Sequence, residues 1–213
     1  MLAAFPRERA RALPQPERMV AEPPPAPEPP VLFTVGHSTR ALEDFLAVLE
    51  AHGIERVIDV RRFPGSRRHP HFGRERLAEA LAGRGIAYAH EEDLGGRRGA
   101  AEAAGAASPN GAWRNAQFRA YADHMASPAF QEALARTLDA ARGARSAVMC
   151  AEAVPWRCHR QLIADAAVAR GWRVLHAIDT GEPRPHSLNA DARVAADGSL
   201  TYPGADEPQR DLF

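Results

Sequence analysis

Short apolar runs alternate with helical patterns along most of the chain, and this alternation constrains the fold more than any other feature. Five runs have the length and composition of buried strands: residues 31–35, 56–60, 86–90, 147–150 and 172–178. Five stretches between or beside them have helical periodicity: residues 41–52, 74–84, 118–125, 128–141 and 159–170. Strands that alternate with helices pair in parallel through crossover connections. We therefore predict an α/β fold, with a doubly wound, mostly parallel sheet flanked by helices in a single domain.

The two ends of the chain differ in composition from this body. Residues 1–30 finish in a proline-rich tract that has nothing large to bury, so we predict a disordered tail there. The α/β domain then covers residues 31–202 and includes a long Gly/Ala-rich surface loop over 94–112 and a hairpin over 194–202. Residues 203–213 are predicted to be a second flexible tail.

Composition limits the classes of function and the compartment. The formal net charge is zero, with 27 basic and 27 acidic residues, so an anion site must come from local clustering. All basic residues are arginine, which makes an isolated pair of arginines uninformative. Two cysteines are too few for a disulfide scaffold. The chain lacks a secretion signal and an apolar stretch of about 18 residues, so we expect a cytoplasmic protein without a membrane partner.

Polar and reactive residues collect after the predicted strands. Parallel sheets bind ligands beyond the carboxyl ends of their strands, so these positions are the ones to inspect. His37 follows the first strand, Arg61 and Arg62 follow the second, and Cys150 and Glu152 follow the fourth. The opposite edge carries mostly glycine and ordinary polar residues. This asymmetry predicts one functional site.

The stretch from Arg61 to Arg74 holds five arginines, two histidines and no acid. Guanidinium groups match phosphate oxygens in pairs, and a hydroxyl can add a donor. The following residues are the candidate phosphate ligands: Arg61, Arg62, Ser66, Arg67 and, from the later segment, Arg160. The alternative is a solvated arginine loop without a ligand.

The segment from Cys150 to Arg160 suggests thiol chemistry. A thiol near a helix start and arginines has a lowered pKa and becomes a competent nucleophile. We expect Cys150 to be the nucleophile or redox centre, Glu152 and His159 to transfer protons, and His37 to complete the pocket. The Cys-x6-Arg spacing, without a glycine in the loop, does not fit the Cys-x5-Arg cradle of cysteine phosphatases.

Two other interpretations of this segment stay open. Cys150, Cys158 and His159, with His37 as a fourth ligand, have the donor types of a metal site. Adjacent Cys and His are awkward for one ion and no Cys-x-x-Cys is present, so we assign neither a metal nor a cofactor. Alternatively, Cys150 is a small buried hydrophobe and His159 caps a helix.

Several motifs in order carry a family resemblance: Val35-Gly36-His37-Ser38-Thr39, Asp59-Val60-Arg61-Arg62-x-Pro64-x-Ser66-Arg67, Leu94-Gly95-Gly96, Tyr121-x-x-x-Met125, and Met149-Cys150-Ala151-Glu152 running to Cys158-His159-Arg160. Over residues 31–180 the chain resembles the domain-of-unknown-function 488 family. The resemblance implies an α/β fold and a site built from these motifs. It implies no particular reaction.

The last five residues, Gln209-Arg210-Asp211-Leu212-Phe213, resemble the peptide with which bacterial replication and repair proteins dock on the sliding clamp. Leu212 and Phe213 would fill an apolar pocket while Gln209 hydrogen-bonds at its edge. The alternative is an apolar terminus without a partner.

Together these features predict an enzyme, a hydrolase or transferase, that acts on DNA or a nucleotide in replication or repair. Two other classes are kept as alternatives. A non-catalytic nucleic-acid adaptor would need the arginines alone, and its affinity would fall steeply with salt. A thiol or metal sensor would need Cys150 and Cys158 alone.

Overall fold

A six-stranded sheet organises the chain, and its strand order places the two halves of the candidate site side by side. The computed structural model describes residues 27–65, 69–97 and 108–204. The sheet order is β3-β2-β4-β1-β5-β6, in which the first five strands are parallel and β6 pairs antiparallel with β5. The strands of this sheet are β1 Val31–Gly36, β2 Arg56–Asp59, β3 Ala87–His90, β4 Ser146–Cys150, β5 Arg173–Ala177 and β6 Arg184–Pro185.

Five α-helices flank the sheet: α1 Leu42–Ala51, α2 Arg74–Ala82, α3 Ala116–His124, α4 Pro128–Gly143 and α5 Arg160–Val168. A separate two-stranded hairpin, β7 Arg193–Val194 with β8 Leu200–Thr201, turns through Gly198 at φ +79°. The predicted α/β fold and the hairpin are therefore confirmed. No helix in the described part of the chain is long and apolar enough to cross a membrane.

Two apolar layers cover the two faces of the sheet. Side chains alternate along a strand, so Leu32 of β1 lies in one layer while its neighbours Phe33 and Val35 lie in the other. The first layer includes residues of α3, α4 and α5, and the second includes residues of α1 and α2. Helices on both faces bury the central strands β1, β2 and β4, which is why these strands are continuous apolar runs.

The carboxyl ends of β1 and β4 meet at the candidate site. Gly36 is in register with Cys150, and the next two backbone amides, of His37 and Ser38, donate to the carbonyls of Cys150 and Ala151 at 3.1 and 2.9 Å. A Cβ added to Gly36 would lie 1.8 Å from the carbonyl oxygen of Glu152. The loop after β4 can therefore cross the end of β1 only because position 36 is glycine.

Predicted and observed elements differ in detail. Helix α5 begins at Arg160, so His159 occupies the N-cap position, although its side chain makes no capping hydrogen bond. The edge strand β6 was not predicted, because Arg184 and Pro185 form too short a strand to leave a periodic pattern. Residues 1–26 and 205–213, which contain most of the predicted tails, lie outside the described residues.

Candidate functional site

A pocket of about 460 Å³ opens beyond the carboxyl ends of β2 and β4. Its lining joins residues from four stretches of the chain: 61–63, 96–97, 115–121 and 150–159. Four arginines contribute to the lining, Arg61, Arg62, Arg97 and Arg157, against the single acid Glu152. We call this cavity the arginine pocket.

Two thiols and an imidazole lie together in the lining of the arginine pocket. His159 Nδ1 is 3.6 Å from Cys158 Sγ and 3.9 Å from Cys150 Sγ. The two sulfurs and one nitrogen atom of the imidazole all lie within 4.8 Å of one another. Both cysteines are buried and neither forms a disulfide. We call Cys150, Cys158 and His159 the thiol centre.

The two sulfurs of the thiol centre differ in acidity. Burial opposes ionisation of Cys158, but the hydrogen bond from Cys150, the adjacent His159 and the charge of Arg160 hold the pKa of the Cys158 thiol well below its ordinary value. The hydrogen bond to Cys158, burial and the charge on Cys158 raise the pKa of the Cys150 thiol. These opposite directions make Cys158 the more acidic of the two thiols, whereas sequence reasoning singled out Cys150 as the nucleophile.

Arg160 is buried and contacts the thiol centre through its guanidinium group. Its Nη2 donates to the carbonyl oxygen of Glu152 at 2.5 Å, and its Nε donates to Cys158 Sγ at 3.4 Å. Only 1% of its surface is exposed, and it does not line the arginine pocket. Arg160 therefore holds the loop after β4 in place, which differs from the phosphate contact expected from sequence.

Arg61 lines the pocket, but its guanidinium is largely occupied. Its Nε and Nη2 donate to the Asp59 carboxylate, with the shortest contact at 2.6 Å, and its Nη1 donates to the carbonyl of Phe72 at 2.9 Å. Tyr88 donates its hydroxyl to the same carboxylate at 2.8 Å. This buried ion pair fixes the loop that carries Arg62 and Phe63 into the pocket.

His37 lies beneath this loop and not in the pocket lining. Its Nδ1 donates to the Ser38 carbonyl, its Nε2 is 3.3 Å from Arg61 Nη1, and its ring stacks on Phe72. Burial and the Arg61 charge lower the pKa of His37 to about 4, so the ring is neutral near pH 7. His37 thus supports the loop that carries Arg61 and does not itself line the pocket.

The remaining predicted residues divide into two groups. Arg62 and Glu152 line the pocket, and Arg62 donates to the carbonyl of Arg97 at 2.6 Å. The others, Ser66, Arg67, Gln209, Leu212 and Phe213, lie outside the described residues.

Sequence reasoning missed the residues that shape the wall facing the thiol centre. Arg97 and Arg157 reach the pocket from a loop and from a short 3₁₀ turn, where arginine frequency alone gave no signal. Gly96 packs so closely on His159 that an added Cβ would lie 2.3 Å from its Nδ1. The Tyr121 ring lies 5.0 Å from the His159 ring, and its hydroxyl donates to the Leu94 carbonyl. Gly96 and Tyr121 belong to motifs noted in the sequence, and these motifs were the only sequence signal for the residues that pack on His159.

Comparison with known proteins gives one match. A family model described as Domain of unknown function DUF488 matches residues 41–167, which contain the thiol centre and Arg61, Arg62, Arg97 and Arg157. Searches of curated proteins and of solved structures found no match.

Proposed function

We propose that this chain, which belongs to the Domain of unknown function DUF488 family, is an enzyme that acts on a phosphate-bearing substrate, DNA or a nucleotide. The observation that carries the proposal is the presence of the thiol centre and several arginines in one pocket. Such a site binds an anion and places a reactive group against it. A hydrolase or a transferase needs both.

The arginines support the choice of a phosphate. Arg97 and Arg157 are exposed at the pocket, and Arg62 is partly exposed in the same lining. Guanidinium groups pair with phosphate oxygens through two parallel hydrogen bonds, each charge-assisted. The pocket volume of about 460 Å³ falls within the range of small-ligand sites and suits one or two nucleotides better than a protein surface.

Aromatic side chains in the same lining favour a substrate with a base. Phe63 is 63% exposed at the pocket, whereas Phe118 is partly buried in the lining and stacks on Trp113, with 5.2 Å between ring centroids. Exposed rings beside arginines are the usual platform on which unpaired bases stack. Inorganic phosphate, which has neither a base nor a C–H surface, would gain nothing from Phe63.

The thiol centre and Glu152 supply the groups for chemistry. The two cysteines of the thiol centre are buried, His159 is partly buried, and Glu152 is exposed in the same pocket lining. A carboxylate in that position takes a proton from an attacking group or returns one to a leaving group. Reduced thiols require a reducing compartment, so we place the enzyme in the cytoplasm.

Titration calorimetry with a nucleoside 5′-monophosphate and with a short single-stranded DNA tests this function. A charge-assisted hydrogen bond contributes about 1.5–3 kcal/mol, so Arg157→Gln should weaken binding about tenfold or more. Arg142→Gln is the matched control, because Arg142 lies at the end of α4, on the opposite edge of the sheet. No binding by the wild-type protein, or equal affinities for the two variants, would refute the phosphate site.

We also propose that the tail residues Gln209, Leu212 and Phe213 dock on a bacterial sliding clamp. This proposal is supported by the sequence pattern alone. Deleting Leu212 and Phe213 should abolish co-elution of the full chain with a purified clamp in gel filtration. If the intact chain does not co-elute, or if the deletion changes nothing, the clamp is not a partner.

A further inference from the structure

The three donor atoms of the thiol centre are spaced like ligands of one ion. Around a tetrahedral zinc, with bonds of about 2.3 Å to sulfur and about 2.0–2.1 Å to nitrogen, a sulfur and a nitrogen lie about 3.6 Å apart. The observed separations of His159 Nδ1 from Cys158 Sγ and Cys150 Sγ are 3.6 and 3.9 Å. All three donor atoms fall within 4.8 Å of one another, which leaves room for an ion between them.

We propose that Cys150, Cys158 and His159 bind one zinc ion and leave its fourth coordination position open to the arginine pocket. All three residues line that pocket, so the open position faces the space where a substrate would lie. Two thiolates and an imidazole are zinc ligands of the ordinary kind, and three protein ligands with an open position are the pattern of catalytic zinc sites.

The hydrogen bonds of His159 favour this site over a simple thiolate–imidazolium pair. Its Nδ1 faces both sulfurs, and its Nε2 is buried without a hydrogen-bond partner among the described residues. A ring protonated on both nitrogens would bury a charged N–H without an acceptor, which costs more than burying a neutral one. A ring protonated on Nε2 alone presents the Nδ1 lone pair to the ion.

Surrounding residues hold the imidazole and one sulfur in place before any ion binds. Gly96 and the Tyr121 ring pack against His159. Arg160 Nε donates to Cys158 Sγ at 3.4 Å, and outer hydrogen bonds of this kind orient a ligand and tune its basicity. A preorganised site loses less conformational entropy when the ion binds.

His37 is not the fourth ligand. Its Nε2 is 3.3 Å from Arg61 Nη1, its Nδ1 faces the Ser38 carbonyl, and it does not line the pocket. With zinc bound, both sulfurs would be ligands and neither would be the nucleophile. The reactive group of the proposed enzyme would then be the molecule held at the open coordination position. Glu152 then lies beside the pocket as the group that handles its proton.

Metal analysis of the full chain, purified without a histidine tag under reducing conditions, tests this inference. We expect one equivalent of zinc per chain, removal by a chelator, and recovery on titration with Zn²⁺. Titration with Co²⁺ should give a thiolate-to-metal charge-transfer band of saturating, one-to-one stoichiometry. Absence of this band together with absence of bound zinc would overturn the proposal.

Variants of the centre and a protection assay complete the test. Cys158→Ser and His159→Gln should abolish one-to-one binding, whereas His71→Gln, a histidine outside the centre, should leave it intact. Binding that survives Cys158→Ser would also overturn the proposal. If a variant fails to fold, the rate of thiol alkylation in the wild-type protein replaces it as the test. One equivalent of Zn²⁺ should slow this alkylation at least tenfold. An unchanged rate would count against the site. These measurements need no nucleotide, so their outcome is separate from that of the proposed function.

Discussion

The buried ion pair between Asp59 and Arg61 gives the most direct test of how the site is held together. Asp59 has no exposed surface, and its carboxylate accepts hydrogen bonds from the Arg61 side chain, the Arg61 amide and the Tyr88 hydroxyl. Asp59→Asn keeps the volume of the side chain but removes its charge. It also turns an N–H₂ group towards the guanidinium or the hydroxyl.

The expected loss of stability follows from burial. Arg61 is only 7% exposed, so the variant leaves a guanidinium in the interior without its counter-ion. Removing one partner of a buried pair costs about 3–5 kcal/mol. An exposed pair contributes about 1 kcal/mol or less. Glu91→Gln is the matched control, because it removes the partner of Arg136, which is 54% exposed.

Urea unfolding followed by circular dichroism measures this difference as a free energy of unfolding. Asp59→Asn should lose about 3–5 kcal/mol and Glu91→Gln about 1 kcal/mol or less. Replacing both members, in Asp59→Asn with Arg61→Met, should recover part of the loss, because no unpaired charge is then buried. Losses that are equal for Asp59→Asn and Glu91→Gln would refute the argument that this pair anchors the loop.

Two further predictions follow from the packing of the site and from its buried histidines. Gly96→Ala should lower zinc affinity about 10–100-fold, because its Cβ would lie 2.3 Å from His159 Nδ1, whereas Gly143→Ala, with nothing within 4 Å, should not change it. Burial lowers the pKa of His37 to about 4 and that of His176 to about 3, from 6.5. As the pH falls below 6.5, these histidines therefore bind protons in the unfolded chain before they do so in the folded one. The low pKa of His37 alone should reduce the free energy of unfolding by about 3 kcal/mol between pH 7 and pH 4. Urea unfolding between pH 7 and pH 4 measures the free energy of unfolding as a function of pH. This dependence should be weaker in His176→Gln than in the wild type. An equally steep dependence in the variant would contradict the prediction.

The fold was predictable because its signals are local. Each central strand is a short apolar run, and helices such as α4, capped by Ser127 with Pro128 at its first turn, carry their own start signals. The edge strand β6 was not predictable, since two residues carry no period and Pro185 argues against a strand. Predicted and observed helix boundaries differ by at most two residues, at ends where helices fray.

The candidate site was predictable only in part. Strand-end placement grouped Cys150, Cys158 and His159 with Arg61 and Arg62, and these five residues line one pocket in the structure. It could not show which way each side chain turns, because that depends on gaps between distant segments. Glycine at position 36 leaves space for the Glu152 carbonyl and the Arg160 guanidinium to meet. The Arg160 side chain therefore turns into the interior and donates to that carbonyl. Sequence spacing contains no information about such a gap.

Most residues that give the pocket its charge are separate from those that support the thiol centre, and Arg61 belongs to both sets. Gly36, Arg61 and Arg160 are buried against backbone carbonyls or carboxylates, so changing any of them disturbs the loops that carry the thiol centre. Arg97 and Arg157 are exposed in the lining, so they can be replaced at little cost to the fold. A change at Arg97 or Arg157 should alter which anion binds while the thiol centre stays intact. For the enzyme proposed above, we therefore expect variants at Arg97 and Arg157 to change substrate choice without loss of the chemistry.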